Sequence, residues 1–190
     1  MRVLIACEMS GIIREAFKKK GWVAYSCDLK ESEIPSPNHI IGDVLDYLDN
    51  DWDLMIAHPP CTFICRNRDR QNKKENKEID TSLFMTLLNA DIPKICIENP
   101  VPSKAANLPS YTQIIQPYHY GHDHSKKTCL WLKNLPELKP TKVIEISYIT
   151  TKRGHTYTRG WYETPRNSID RSRTFQGIAD AMAEQWGNLN

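Results

Sequence analysis

Nowhere in its 190 residues does the chain hold an apolar run long enough to cross a bilayer, and the run near its start is only five residues, 3–7, behind a single arginine. Neither a secretory leader nor a membrane span is expected, which points to the cytoplasm. Charge of one sign is scarce too. Twenty-five Lys and Arg against 23 Asp and Glu leave +2, so net charge alone argues neither for nor against a nucleic-acid partner. Local basic clusters at 18–20 and 66–77 could still form a basic face. Dense cysteine spacing is absent: the six cysteines, at 7, 27, 61, 65, 96 and 129, sit mostly in apolar runs, unlike the framework of a small disulfide-bonded domain. No C-x2-C or H-x3-H pair accompanies His122 and His124, so reduced thiols and no metal are expected. Internal repeats and low-complexity tracts are also missing.

What is present is a rhythm. Apolar runs at 2–7, 23–27 and 53–57 alternate with a helical pattern at 12–20, and a second helical face at 79–89 leads into a buried run at 92–97. The length suits one domain. A doubly wound α/β fold with a mostly parallel sheet follows, Rossmann-like in plan. Strands at 128–132 and 143–149 and a helix at 174–186 complete the expectation, while 154–167 shows no periodicity. Residues 66–80 read as a mobile loop or an exposed helix start, with Arg66, Arg68, Arg70, Lys73 and Lys74 available for phosphates.

Ligands of such sheets gather beyond the carboxyl ends of the strands. Breakers and polar residues stand there: residues 7–11, Asp28, Asp43, 58–61 and 98–100. In His58-Pro59-Pro60-Cys61 two prolines stiffen the mount of a thiol, which suits a nucleophile. A lone cysteine is equally at home as a small buried hydrophobe. Glu98 and Asn99 end an apolar strand just before Pro100, where desolvation would raise the Glu98 pKa and let it donate a proton at neutral pH. A strand-end acid can also simply face solvent. Lys126 and Lys127 could hold a substrate oxygen and favour a thiolate, or form a solvated pair.

In chain order these pieces resemble the cytosine-5 DNA methyltransferases, particularly the short versions of phages and prophages. Residues 53–61 are similar to the strand and Pro-Pro-Cys loop of that family, Glu98-Asn99 to its Glu-Asn-Val, and Gly42-Asp43-Val44 to its Gly-Asp-Ile. Tyr120-Gly121 through Leu132 is similar to its Tyr-Gly segment, with lysines where the family has arginines. Residues 7–12 keep one glycine, Gly11, of the glycine-rich first motif; the turn is still expected to offer backbone amides to the cofactor's carboxylate at the start of the next helix. The resemblance implies an S-adenosylmethionine-dependent fold of one domain, 1–190, in a bacterial or phage-infected cell. It implies Cys61, Glu98 and Lys127 as the catalytic set and Glu8, Gly11, Asp28, Asp43 and Pro59 around the cofactor. Pro60, Asn99, Lys126 and Arg66 fall to the substrate, a cytosine flipped out of DNA. Residues 133–168, basic and aromatic, stand where a recognition domain is usually inserted, which leaves room for a recognition partner or a second copy. Two other readings remain: a binding module that has kept the fold, and a thiol hydrolase with His58 or His119 as base to Cys61.

Overall fold

The computed structural model describes residues 1–62, 64–66, 78–165 and 167–189. Among the described residues nine strands form: β1 Arg2–Ala6, β2 Val23–Asp28, β3 His39–Ile41, β4 Leu54–Ala57, β5 Lys94–Pro100, β6 Gln113–Ile115, β7 Thr128–Lys133, β8 Tyr148–Thr150 and β9 Thr156–Thr158. The α-helices are α1 Ile12–Lys19, α2 Ser82–Leu88, α3 Arg159–Glu163, α4 Ser168–Ser172 and α5 Gln176–Trp186. Seven strands make one sheet in the order β3-β2-β1-β4-β5-β7-β6, parallel from β3 to β5, with β7 antiparallel to both its neighbours. The expected doubly wound, mostly parallel architecture is what the chain adopts.

Alternate residues of the central strands feed two cores, which is why their sequences run apolar without alternation. Val3, Ile5, Leu54 and Ile56 face α1 and α5, meeting Ile13, Phe17, Met182 and Trp186. Leu4, Met55, Ile95 and Ile97 face the other way, onto Phe84, Leu87 and Trp131. Both helices on the first face read as amphipathic: α1 buries Ile13, Ala16 and Phe17 and ends on Lys18 and Lys19, which suit a helix C-terminus.

The expected strand at 143–149 shrinks to β8, because residues 141–144 are drawn away: Thr141 and Lys142 donate backbone hydrogen bonds to His119 O, and Ile144 to Tyr118 O. The region without periodicity holds β9, which pairs with β8 as a hairpin, and α3. Helix α2 starts three residues later than expected, at Ser82. Residues 67–77, with Arg68, Arg70, Lys73 and Lys74, lie outside the described residues. Among the described residues no helix is long and apolar enough to cross a membrane.

Candidate active site

Strand β4 lies between β1 and β5, with Ala57 level with Ala6 on one side and Ile97 on the other. One residue further along each chain, His58 has left β4 while Glu98 is still in β5, paired with Leu130 of β7. The His58 N–H is held by Ala6 O at 2.9 Å. His58 Nδ1 and Glu98 Oε2 are 2.7 Å apart, both side chains mostly buried at 13% and 14% exposure. Asn99, fully buried, donates from Nδ2 to Pro59 O at 2.9 Å and so fixes the loop that carries the thiol. Pro59 is buried under this contact, and Pro60 stands exposed. Beyond Cys61 the chain turns, with Cys65 N–H donating to Cys61 O at 3.1 Å, and is then sewn to the segment after β5: Arg66 N–H to Val101 O at 3.0 Å, Ser103 N–H to Ile64 O at 2.7 Å. The thiol is therefore mounted between two strand ends and braced from both.

The Cys61 thiol is half-buried and rests protonated. A hydrogen bond with Cys65, burial and the negative charge of Glu98 all push its pKa well above the ordinary 9.0, with only the Lys126 charge opposing. Glu98 departs from the sequence-based expectation. Burial does push its carboxyl up, but the hydrogen bond and charge of His58, the charge of Lys126 and a hydrogen bond with Thr128 outweigh it, and the pKa settles below the usual 4.5. Burial is the one influence a sequence shows; the partners outweigh it. Glu98 is thus a carboxylate at neutral pH, not a standing proton donor.

Of the two lysines the structure brings Lys126, not Lys127, to the pair. Lys126 is half-buried, its Nζ donating to Arg171 O at 2.9 Å and its backbone N–H to Gln116 Oε1 at 3.0 Å. Lys127 is exposed. Next to them opens a cavity of about 850 Å³ whose walls include Arg66, Lys126, Lys127, Trp161, Arg171 and Phe175. A narrow recess between Lys126, Arg173 and Phe175 continues to Glu98 and Thr128. Arg171 lies over Trp161 at 4.8 Å, and Trp161 stacks on Tyr157 at 5.0 Å, so the 133–168 segment contributes an aromatic wall. Such volume and lining suit a nucleotide-sized anion with an aromatic ring.

The edge at β1 and β2 differs from expectation. Gly11 caps α1 at φ +75°, a left-handed conformation glycine adopts without strain, and a Cβ there would come within 2.7 Å of Arg14 Nη2. The first-turn amides are already taken: Ile13 N–H donates to Glu8 Oε1 at 3.2 Å and Ile12 N–H to Ser10 Oγ at 3.3 Å. Glu8 itself is buried, with Oε2 lacking a partner among the described residues. The chain's own carboxylate therefore stands where an incoming carboxylate was expected. Asp28 ends β2, and Asp43 caps the short turn Val44–Tyr47 through Leu45 N–H at 3.0 Å. Both lie close enough to Cys7 for their charges, added to burial, to push that thiol up to about 12. Glu8, Asp28 and Asp43 make an acceptor-rich rim, chemically fit for an ammonium, an exocyclic amine and hydroxyls rather than an anion.

Sequence weighed His58 only as a base for Cys61. The structure gives its Nδ1 to Glu98 and leaves Nε2 buried without a partner among the described residues, so neither nitrogen bonds the thiol. Thr128, Arg171 and Arg173 were missed. Thr128 faces Glu98 because β7 runs antiparallel, with Pro100 level with Thr128; no spacing in the sequence announces that. Arg171 and Arg173 reach the site through α4, and their only signal was two arginines just before a helix. His122 and His124, which the sequence offers as metal ligands, instead meet backbone groups: Gly177 N–H donates to His122 Nε2 at 2.9 Å, and the His124 ring hydrogen-bonds the backbone of Gly160 in a contact that favours its protonated form.

No protein-family model matches the chain, and no curated protein matches it. Among solved structures, the chain is similar to the methyltransferase EhMeth of Entamoeba histolytica, at 14% identity and a TM-score of 0.48. That likeness covers 79% of this chain and 58% of EhMeth, so the chain spans less than two thirds of that neighbour's length.

Proposed function

We propose that the protein is an S-adenosylmethionine-dependent methyltransferase that acts on carbon 5 of cytosine in DNA through a covalent Cys61 adduct. The observation that carries this reading is the pairing at two adjacent strand ends: a braced thiol and a buried carboxylate share one edge, and their charges feel each other. Addition of a thiolate to carbon 6 of a cytosine needs a partner at ring nitrogen 3, and the chemistry of a buried carboxylate such as Glu98 suits that role. Asn99 keeps the Pro59-Pro60 loop from drifting off the carboxylate. Lys126 supplies positive charge to both groups and favours thiolate formation once a substrate shields the thiol from Cys65.

Glu8, Asp28 and Asp43 would hold the cofactor by its ammonium, its amine and its hydroxyls, and when bound it supplies the electrophilic methyl group. Arg66, Lys126 and Arg171 suit the phosphates that flank a flipped base, and Trp161 suits a neighbouring ring.

The test is transfer of labelled methyl from S-adenosylmethionine to DNA, followed by mapping of the modified base. Wild-type protein transfers to cytosine, and Cys61→Ser abolishes transfer; activity retained in that variant would sink the mechanism. A second reading, a module that binds DNA without catalysis, is favoured by one observation, the occupation of the α1 amides by Glu8 and Ser10. It predicts DNA binding with no heat of binding for S-adenosylmethionine in calorimetry.

A further inference from the structure

The carboxylate at the centre of the site cannot itself supply a proton at neutral pH, yet ring nitrogen 3 must take one up when a thiolate adds to carbon 6. A proton must therefore arrive from a neighbour. The groups that face Glu98 come from three elements: His58 beyond β4, Lys126 and Thr128 at the start of β7, and the thiols of Cys61, Cys96 and Cys129. Burial holds the Cys96 and Cys129 thiols protonated, Cys129 up to about 11. The Lys126 ammonium is committed to Arg171 O. His58 alone combines direct contact, at 2.7 Å through Nδ1, with a second nitrogen that has no partner among the described residues.

We propose that His58 is the proton store of the site, lending a proton through Glu98 to ring nitrogen 3 of the substrate and receiving it back at elimination. The inference rests on the cytosine reading above and deepens it. In the addition step the Cys61 S–H bond breaks and the S–C6 bond forms. The ring π pair shifts toward nitrogen 3, which gains a proton from Glu98 as Glu98 gains the one that neutral His58 carries on Nδ1. The proton shed by the thiol passes to the vacant Nε2 nitrogen, so no net proton enters or leaves the site. At elimination each transfer reverses. His58 touches only Glu98 and never the ring, so its role is that of a positioning and proton-supplying residue behind the carboxylate. Its placement is built in, since the His58 N–H is locked to β1 by Ala6 O and Glu98 is set level with it by the β4–β5 register.

The experiment compares wild type with His58→Asn, which can still hydrogen-bond Glu98 but cannot store a proton, and reads methyl transfer across pH. Folding is checked by thermal unfolding, and cofactor affinity by calorimetry. His58→Asn is expected to fold and bind cofactor as wild type does, lose about 100-fold in kcat, and change the shape of the pH profile. The nitrogen-bound proton of His58, seen by nuclear magnetic resonance, should be protected from solvent in wild type and exposed in Glu98→Gln, whatever the activity. An active wild type whose rate and pH profile survive unchanged in His58→Asn overturns the relay alone. A protected His58 proton in a protein that never transfers methyl to cytosine overturns the cytosine reading, and the relay with it.

Discussion

Cys61 combines two properties that pull apart: it is held where a nucleophile belongs, and it is held as a thiol. Its environment contains an acid and a second thiol, and one cation too few to offset them. That balance makes the resting protein chemically quiet. Iodoacetamide followed by mass spectrometry should label Cys61 slowly at pH 7 to 8, with the rate climbing only under strongly alkaline conditions. Cys65→Ala removes the largest cause of the shift and should raise the neutral-pH rate several-fold; a variant that labels no faster than wild type would mean that Cys65 does not restrain the thiol. Cys61, Glu98 and Asn99 were legible in the sequence because each stands at or shortly beyond the end of an apolar run, and breakers at such ends carry meaning in a parallel sheet. The state of Glu98 was not legible, because it depends on His58 and Thr128, which lie 40 and 30 residues away and meet it only through strand register.

At the scale of elements, the strands that sequence foretold are those buried on both faces, β1, β2, β4, β5 and β7. Those it missed, β3, β6 and β9, have three residues each, and pairing with β2, β7 and β8 rather than intrinsic pattern makes them. Arg14 shows the same limit. It is fully buried in α1, and it ties the 29–38 loop down through Ser32 Oγ at 3.1 Å and Ile34 O at 2.7 Å, with Ser26 Oγ at 2.5 Å. Nothing in a helical pattern marks such an arginine as interior. Helix α5 docks by close approach: a Cβ on Gly177 would lie 2.0 Å from Tyr120 O and 3.0 Å from His122 Nε2. Backbone cannot yield as a side-chain tip can, so Gly177→Ala is expected to cost roughly 1–3 kcal/mol and to lower the thermal midpoint. Gly154, with nothing within 4 Å of its would-be Cβ, lacks that clash and sets the comparison, although its φ of +77° carries a backbone cost of its own. Equal midpoints for wild type and Gly177→Ala would show that α5 is not seated against residues 120–122.

Across the whole molecule, the 120–124 segment holds the C-terminal third to the sheet. Gly177 at the start of α5 donates to His122, the His124 ring hydrogen-bonds the backbone of Gly160 in α3, and Asp123 takes both the backbone N–H and the hydroxyl of Ser147 ahead of β8. Both rings also pack on Phe175, with centroids at 5.2 and 4.9 Å. His122 Nε2 can accept the Gly177 N–H only while that nitrogen is unprotonated. Burial keeps both pKa values below 6.5, and for His124 the Lys126 charge adds to it. The sign follows from linkage: below pH 6.5 the unfolded chain binds these protons while the folded chain resists, so stability falls as pH drops through the unfolded pKa toward the folded ones. Asp123 and Asp170 are held below 3.8, and lose their contribution only at more acid pH, which separates the two windows. The thermal midpoint should therefore decline between pH 7 and 5, before Asp123 and Asp170 titrate. In a His122→Gln, His124→Gln double variant, whose side chains take up no proton in that range, the decline should flatten even though the starting stability is lower. If the double variant keeps the wild-type slope, the clasp at 120–124 is not what makes the molecule sensitive to mild acid. Because Arg171, Phe175 and Trp161 all reach the cavity from the segments this clasp secures, the same mild acid should open the cavity before it unfolds the sheet. Quenching of tryptophan fluorescence would report that early step as a change that precedes the loss of far-ultraviolet circular dichroism.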